Sequence, residues 1–181
     1  MQKAKRKGWK SPARSVALVG LMAATVECGK LALSFLPNIE VVTLLLALYG
    51  YVFGMYGVIA AFVFVSIEPL IYGFSTWVAT YYLYWPLVAI VFMLLSKIRI
   101  KNRFILTGVA LLLTVWFGVL SSLVEIGLLS GFFDKFWYRF GVYYTRGIPF
   151  YALQIGCNAV LFPLLFRFLA DRLYKVKRQF L

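Results

Sequence analysis

Four stretches of this chain, residues 15 to 36, 76 to 96, 104 to 130 and 148 to 170, each exceed 20 residues and are apolar almost throughout. Basic clusters, Pro37 or the polar stretch between Asp134 and Arg146 bound them. A hydrocarbon core about 30 Å thick needs about 20 helical residues at about 1.5 Å each, so each stretch is long enough to cross it. A transmembrane barrel would instead require short segments of alternating polarity, and no run has that pattern. Composition agrees: 63% of the residues are apolar and 14% charged, against about half and a quarter in soluble domains. The expected fold class is an all-α polytopic membrane protein.

Glu40 to Phe74 is also apolar, but as one helix it would run about 50 Å, far beyond the core. Gly50, Gly54 and Gly57 fall in its middle, where a tight reversal needs unusual backbone angles, so the segment is read as two short helices, about 40 to 55 and 57 to 72. Six transmembrane helices result. Charge tests the count: Lys3, Lys5, Arg6, Lys7, Lys10 and Arg14 precede the first helix, and Lys97, Arg99, Lys101 and Arg103 lie between the fourth and fifth. Arg167, Arg172, Lys175, Lys177 and Arg178 follow the last. Six spans put all of these on the cytoplasmic side with both termini, leaving Lys30, Lys135, Arg139 and Arg146 outside, as the positive-inside rule requires. The first apolar run is too long for a cleaved signal peptide and reads as a retained helix. The organisation is one integral membrane domain over 1–181: a basic cytosolic segment 1–14, a six-helix bundle 15–174 and a basic tail 175–181.

Several chemistries are excluded. Histidine is absent, which removes His-based triads and imidazole-ligated zinc or haem. Cys28 and Cys157 have no zinc or redox spacing and read as small packing residues. No G-x-x-x-x-G-K-[ST] occurs, so any ATP hydrolysis must come from another chain. Basic clusters at helix ends reflect orientation and attraction to anionic lipid, and none carries the interleaved aromatics of a single-strand nucleic-acid binder. No catalytic residue, metal ligand or cofactor is assigned.

Ionisable groups within spans are costly unless paired or facing water. Glu27 and Lys30, three apart on one helix face, read as a structural ion pair, and Asp171 reads as pairing with Arg167 or Lys175. Glu68, Glu125 and Asp134 fall toward the outer half, where either helix-end solvation or a site accounts for them. Outer aromatics are dense: Tyr72, Trp77, Tyr81, Tyr84 and Trp85 around the third loop, and Tyr143 and Tyr144 near Arg146. An interfacial belt explains part of this, but Tyr81, Tyr84 and Trp85 reach a turn or more into a span, where their polar tips need partners. Gln154 and Asn158 share one face of the last helix, for a helix-to-helix hydrogen bond or for a ligand. Together these residues can line a cavity that is apolar in body and polar at its corners.

The connection Leu36-Pro37-Asn38-Ile39-Glu40-Val41-Val42-Thr43, with its proline and a helix-capping acid, is rigid. With the chain length, six spans and basic N-terminus, it resembles the S components, the substrate-binding membrane subunits of energy-coupling-factor vitamin transporters, over roughly residues 14 to 175. The resemblance implies a bacterial plasma-membrane protein that is not itself an enzyme and captures a water-soluble vitamin at the outer face. The loops after the first, third and fifth helices would cover the ligand, which adds Asn38 to the candidate residues. It implies as partners a scaffold membrane subunit and two cytosolic ATPases, with membrane lipid around them and no nucleic acid. A small-residue face on the first helix, here Ala13, Ala17, Gly20 and Ala24, would meet the scaffold. Cobalamin is the leading candidate; pantothenate, pyridoxine, folate and a queuosine precursor stay open. The rivals are a carboxylate-dependent membrane enzyme using Glu68 and Glu125 on a lipid or isoprenoid substrate, and a structural assembly factor.

Overall fold

The computed structural model describes residues 12–36, 39–131 and 134–180; Pro37, Asn38 and the basic residues Lys3 to Lys10 lie outside them. The described residues are helical with short connections: α1 (Pro12–Ala32), α2 (Val42–Phe53), α3 (Met55–Tyr72), α4 (Trp77–Lys97), α5 (Arg103–Ser130), α6 (Phe136–Leu161) and α7 (Arg167–Phe180). A π-helical turn, Phe162–Phe166, joins α6 to α7. Five helices are long and apolar enough to cross a membrane, counting Phe136–Arg178 as one of 43 residues. The fold is that of an all-helical membrane protein.

The expected break in the 40–74 segment is present, at a single residue. Gly54 has φ 63°, a backbone that side-chain-bearing residues rarely adopt, and it both ends α2 and starts α3. Gly73 and Gly131, at φ 82° and 66°, stop α3 and α5 in the same way. Asn102 starts α5 by accepting the Phe104 amide at 2.9 Å.

At 12 residues α2 is only about 18 Å long, too short to cross the core alone. Its position accounts for its length. Every α2 residue except Leu45 is buried, packed chiefly against α4 and α3, with α1 and α7 alongside, so lipid scarcely meets this helix. The other helices surround it and present Leu70, Leu112, Leu128 and Leu164 outward, as lipid-facing surfaces do.

The last helix departs from the expected 148 to 170. It begins at Phe136 and runs on through Phe180, about 65 Å or more, so the stretch holding Arg139 and Arg146 is helix and not an outer loop. Pro163 sits in the π turn, where the altered register absorbs its missing N–H, and the flanking Phe162 and Phe166 stack at 5.4 Å and pack on Phe92.

Hydrogen bonds tie the helix ends into two groups. At one end Ser15 meets Tyr56 (3.3 Å), the Tyr51 hydroxyl donates to the Ile100 carbonyl (2.8 Å), and Lys177 donates to the Val52 carbonyl (2.6 Å). At the other, Lys30 pairs with Glu68, Thr76 donates to Glu125, and Gln154 donates to Glu40.

Candidate functional site

At that second end, the C-terminal turn of α1 carries Lys30, whose ammonium pairs with Glu68 on α3. Glu68 is 1% exposed and Lys30 26%, so the acid is embedded while its cation reaches toward the surface. The ammonium lies 4.1 Å from the Tyr72 ring centre and 5.9 Å from that of Tyr81, close enough for cation–π attraction. Lys30 therefore does not form the expected local pair with Glu27. Glu27 is buried facing Glu68, and neither of its oxygens nor Glu68 Oε1 has a donor among the described residues. Two carboxyls and one ammonium share this corner.

Glu40 makes the opposite corner. As expected it caps α2, accepting the Thr43 amide at 3.0 Å and the Thr43 hydroxyl at 2.6 Å. It also accepts Gln154 Nε2 at 3.1 Å, and its carbonyl takes a weak bond from Cys157 Sγ at 3.6 Å, which fastens α6 to the start of α2.

Between these corners lies a cavity of about 180 Å³. Lys30, Glu40 and Gln154 are its polar members; Val42, Phe64, Tyr81, Trp85, Phe117, Phe150 and Tyr151 form its walls. The rings support one another. Trp77, Tyr81 and Trp85, four residues apart on α4, meet edge to face at 4.9 and 5.6 Å, and Phe117 stacks on Trp85 at 6.2 Å and meets Tyr151 at 6.4 Å. The Trp85 indole N–H is buried with no acceptor among the described residues, an unused donor in the wall.

The residues singled out by sequence divide into groups. Tyr81, Trp85 and Gln154 line the cavity, Glu68 and Tyr72 hold Lys30 in it, and Trp77 braces Tyr81. Tyr84 and Asn158 are fully buried and do not line it; Asn158 donates to Thr114 at 3.0 Å, the helix-to-helix bond that was one of its two readings. Glu125, Tyr143 and Arg146 border a separate groove of about 330 Å³ between α5 and α6, where Glu125 also accepts the Thr76 hydroxyl. Tyr144 lies behind Tyr151 at 5.7 Å and stacks on Phe140 at 5.8 Å. Asn38 is outside the described residues. Asp171 has no ion pair to Arg167 or Lys175 within 4.0 Å; among the described residues that distance is met by Lys30 and Glu68.

Spacing along one helix and a capping position give Lys30 and Glu40 structural roles, although a lysine inside an apolar span is itself a functional signal. Phe64, Phe117, Phe150 and Tyr151 gave no such signal. Comparison of the chain with family models, curated proteins and solved structures gave no match.

Proposed function

We propose that this chain is the substrate-binding membrane subunit of an energy-coupling-factor vitamin importer, with six membrane crossings and both termini on the cytoplasmic side of a bacterial plasma membrane. The observation that carries this reading is the cavity at the end opposite the basic helix ends: ring walls, an ammonium, a carboxylate and an amide at the corners, and an unused indole donor. Sites for small polar molecules are built this way. The sixth crossing is α2, which does not need the full bilayer thickness because its neighbours enclose it.

The exposed positions of Ala13, Ala17, Gly20 and Ala24 support a docking role for α1. A Cβ built on Gly20 meets nothing within 4 Å, so this face is not consumed by packing inside the chain and is open to a scaffold helix. The scaffold would bring two cytosolic ATPases to a chain that has no nucleotide-binding motif. Within the vitamin class, a volume of about 180 Å³, below the roughly 300 Å³ where small-molecule pockets usually begin, favours a small ring compound. Cobalamin would require the α6 wall, Phe150, Tyr151 and Gln154, to move away. The enzyme alternative needs Glu68 and Glu125 at one reacting centre, and they engage different partners, Lys30 and Thr76.

The test is a panel of water-soluble vitamins titrated against the purified chain, read by intrinsic fluorescence with Trp85 in the wall and Trp77 beside it. One vitamin is expected to give a saturable change. Gln154→Leu is expected to weaken it at least about tenfold, since it removes the amide from the cavity lining while Glu40 keeps its bonds to Thr43. Arg146→Ala, in the separate groove, is expected to leave affinity within about twofold. No response to any vitamin defeats the reading, and loss with Arg146→Ala alone moves the site. Gly20→Leu is expected to abolish co-purification with scaffold and ATPases while ligand affinity is unchanged; equal loss of both refutes the assignment of faces.

A further inference from the structure

At the other end of the bundle the basic residues do more than mark a side of the membrane. Five of them, Arg99, Lys101, Arg167, Lys175 and Arg178, converge on one cavity of about 570 Å³, with Asp171 the acid in its lining. They come from separate elements: the turn after α4 supplies Arg99 and Lys101, and three turns of α7 supply the others, with Tyr51 of α2 at the floor. Arg99 holds φ 61°, a left-handed backbone that a residue with a side chain adopts at a cost, in the turn that presents it to this cavity. Ser96 and Tyr174, 3.4 Å apart, add hydroxyls to the wall. Ile98 and Phe168, next in sequence to the lining residues Arg99 and Arg167, are exposed and apolar, as is Leu164 one turn before Arg167.

From this arrangement we infer that the cavity is a phosphate-group site. Like charges gathered into one concavity repel unless an anion joins them, and guanidinium forks match phosphate oxygens in pairs. The Ser96 hydroxyl, 3.4 Å from that of Tyr174, can turn to donate to a remaining oxygen. The group can belong to a phospholipid, whose acyl chains would lie on the exposed Ile98, Leu164 and Phe168, or to a phosphorylated solute. The site is independent of whatever fills the opposite end of the bundle.

The test uses the full chain in dodecylmaltoside with equimolar phosphatidylglycerol and phosphatidylcholine, counting retained lipids by native mass spectrometry. A second arm titrates inorganic phosphate, and then a hexaglutamate peptide, against the lipid-free chain by calorimetry. The variant Arg167→Gln/Lys175→Gln/Arg178→Gln removes three cavity charges. The control Lys97→Gln/Arg103→Gln/Arg172→Gln removes three that do not line it, two of which rest on the Phe104 and Phe168 rings. At roughly fivefold per basic residue beside an anionic headgroup, the cavity variant is expected to lose phosphatidylglycerol retention on the order of a hundredfold, while the control stays near the parent. That result identifies a lipid phosphate; saturable inorganic phosphate binding with the same dependence, without lipid preference, identifies a solute. The inference is overturned if neither phosphate source binds, if both triple variants lose binding equally, or if hexaglutamate alone binds through these residues.

Discussion

Gly50→Ala is expected to be among the most damaging single substitutions in this chain, lowering the thermal midpoint in detergent by roughly 5 to 10 °C. A Cβ built at Gly50 would lie 2.1 Å from the Ala89 carbonyl oxygen and 2.8 Å from the Ala89 Cα, so the obstruction is the α4 backbone and not a side chain that can rotate away. Ala89 itself is fully buried, and α2 has no free side toward which to shift: a Cβ on Gly57 of α3 would meet the Tyr49 carbonyl at 2.3 Å. Two opposing terms decide the sign. Replacing glycine within a helix gains about 0.5–1 kcal/mol of backbone entropy, while overpacking a tight core costs about 1–3 kcal/mol and more when backbone must move. Because the obstruction is backbone the cost lies at or above the top of that range, leaving a net of about 2.5 kcal/mol, and about 2–4 °C per kcal/mol for a chain of this size gives the stated range. The matched control is Gly108→Ala on α5, where a Cβ meets nothing within 4 Å, so only the favourable term operates and the midpoint should hold or rise. Scanning tryptophan fluorescence measures both. A Gly50→Ala midpoint within about 1 °C of the parent would mean that α2 and α4 are not packed backbone to backbone.

Gly50, Gly54 and Gly57 indicate how much the sequence disclosed. Length alone required that residues 40 to 74 fold back, and glycine composition placed the reversal within a few residues of Gly54. What sequence could not separate was the turn from the contact. Gly54 supplies the left-handed backbone, whereas Gly50 and Gly57 are small because another backbone passes over them. The start of the last helix was misplaced for a different reason. Hydropathy reports where an apolar run ends, not where hydrogen bonding along the helix ends, and polar side chains do not stop it: Arg139 donates to the Gly131 carbonyl at 3.0 Å while the helix continues to Phe136. Pro149 lies inside α6 and does not stop it. In the cavity, Tyr81, Trp85 and Gln154 were legible because a polar atom in an apolar span needs a partner. Phe117 and Phe150 were not, since a ring facing a cavity and a ring facing lipid leave the same mark in an apolar run. Lys30 was legible as an anomaly but assigned to the wrong acid, because spacing along one helix reveals Glu27 and says nothing of Glu68 on another.

Lys30→Met is expected to destabilise the chain by about 3 kcal/mol, roughly 6 to 12 °C, and to abolish ligand binding. Removing one member of a buried ion pair leaves the other's charge uncompensated, and here two acids are left together, Glu68 at 1% exposure and Glu27 at 8%. The effect sits at the low end of the range for broken buried pairs because water reaches the Lys30 side chain, 26% exposed. Glu68→Gln should be milder than Lys30→Met, since the ammonium can turn to Glu27, three residues back on its own helix. The decisive variant removes the whole cluster. In Lys30→Met/Glu27→Leu/Glu68→Leu no charge remains to be desolvated, so the midpoint is expected to return to the parent value or exceed it, as apolar replacement of buried ion pairs often does. Binding should not return, because the cavity has lost the cation at its Lys30 corner. A triple variant that is stable but unresponsive to the vitamin bound by the parent separates the two roles: the charges stay in this apolar bundle for the ligand and at a cost to the fold. A triple variant as unstable as Lys30→Met would instead assign the loss to packing around α1 and α3, and the ion pair would be structural.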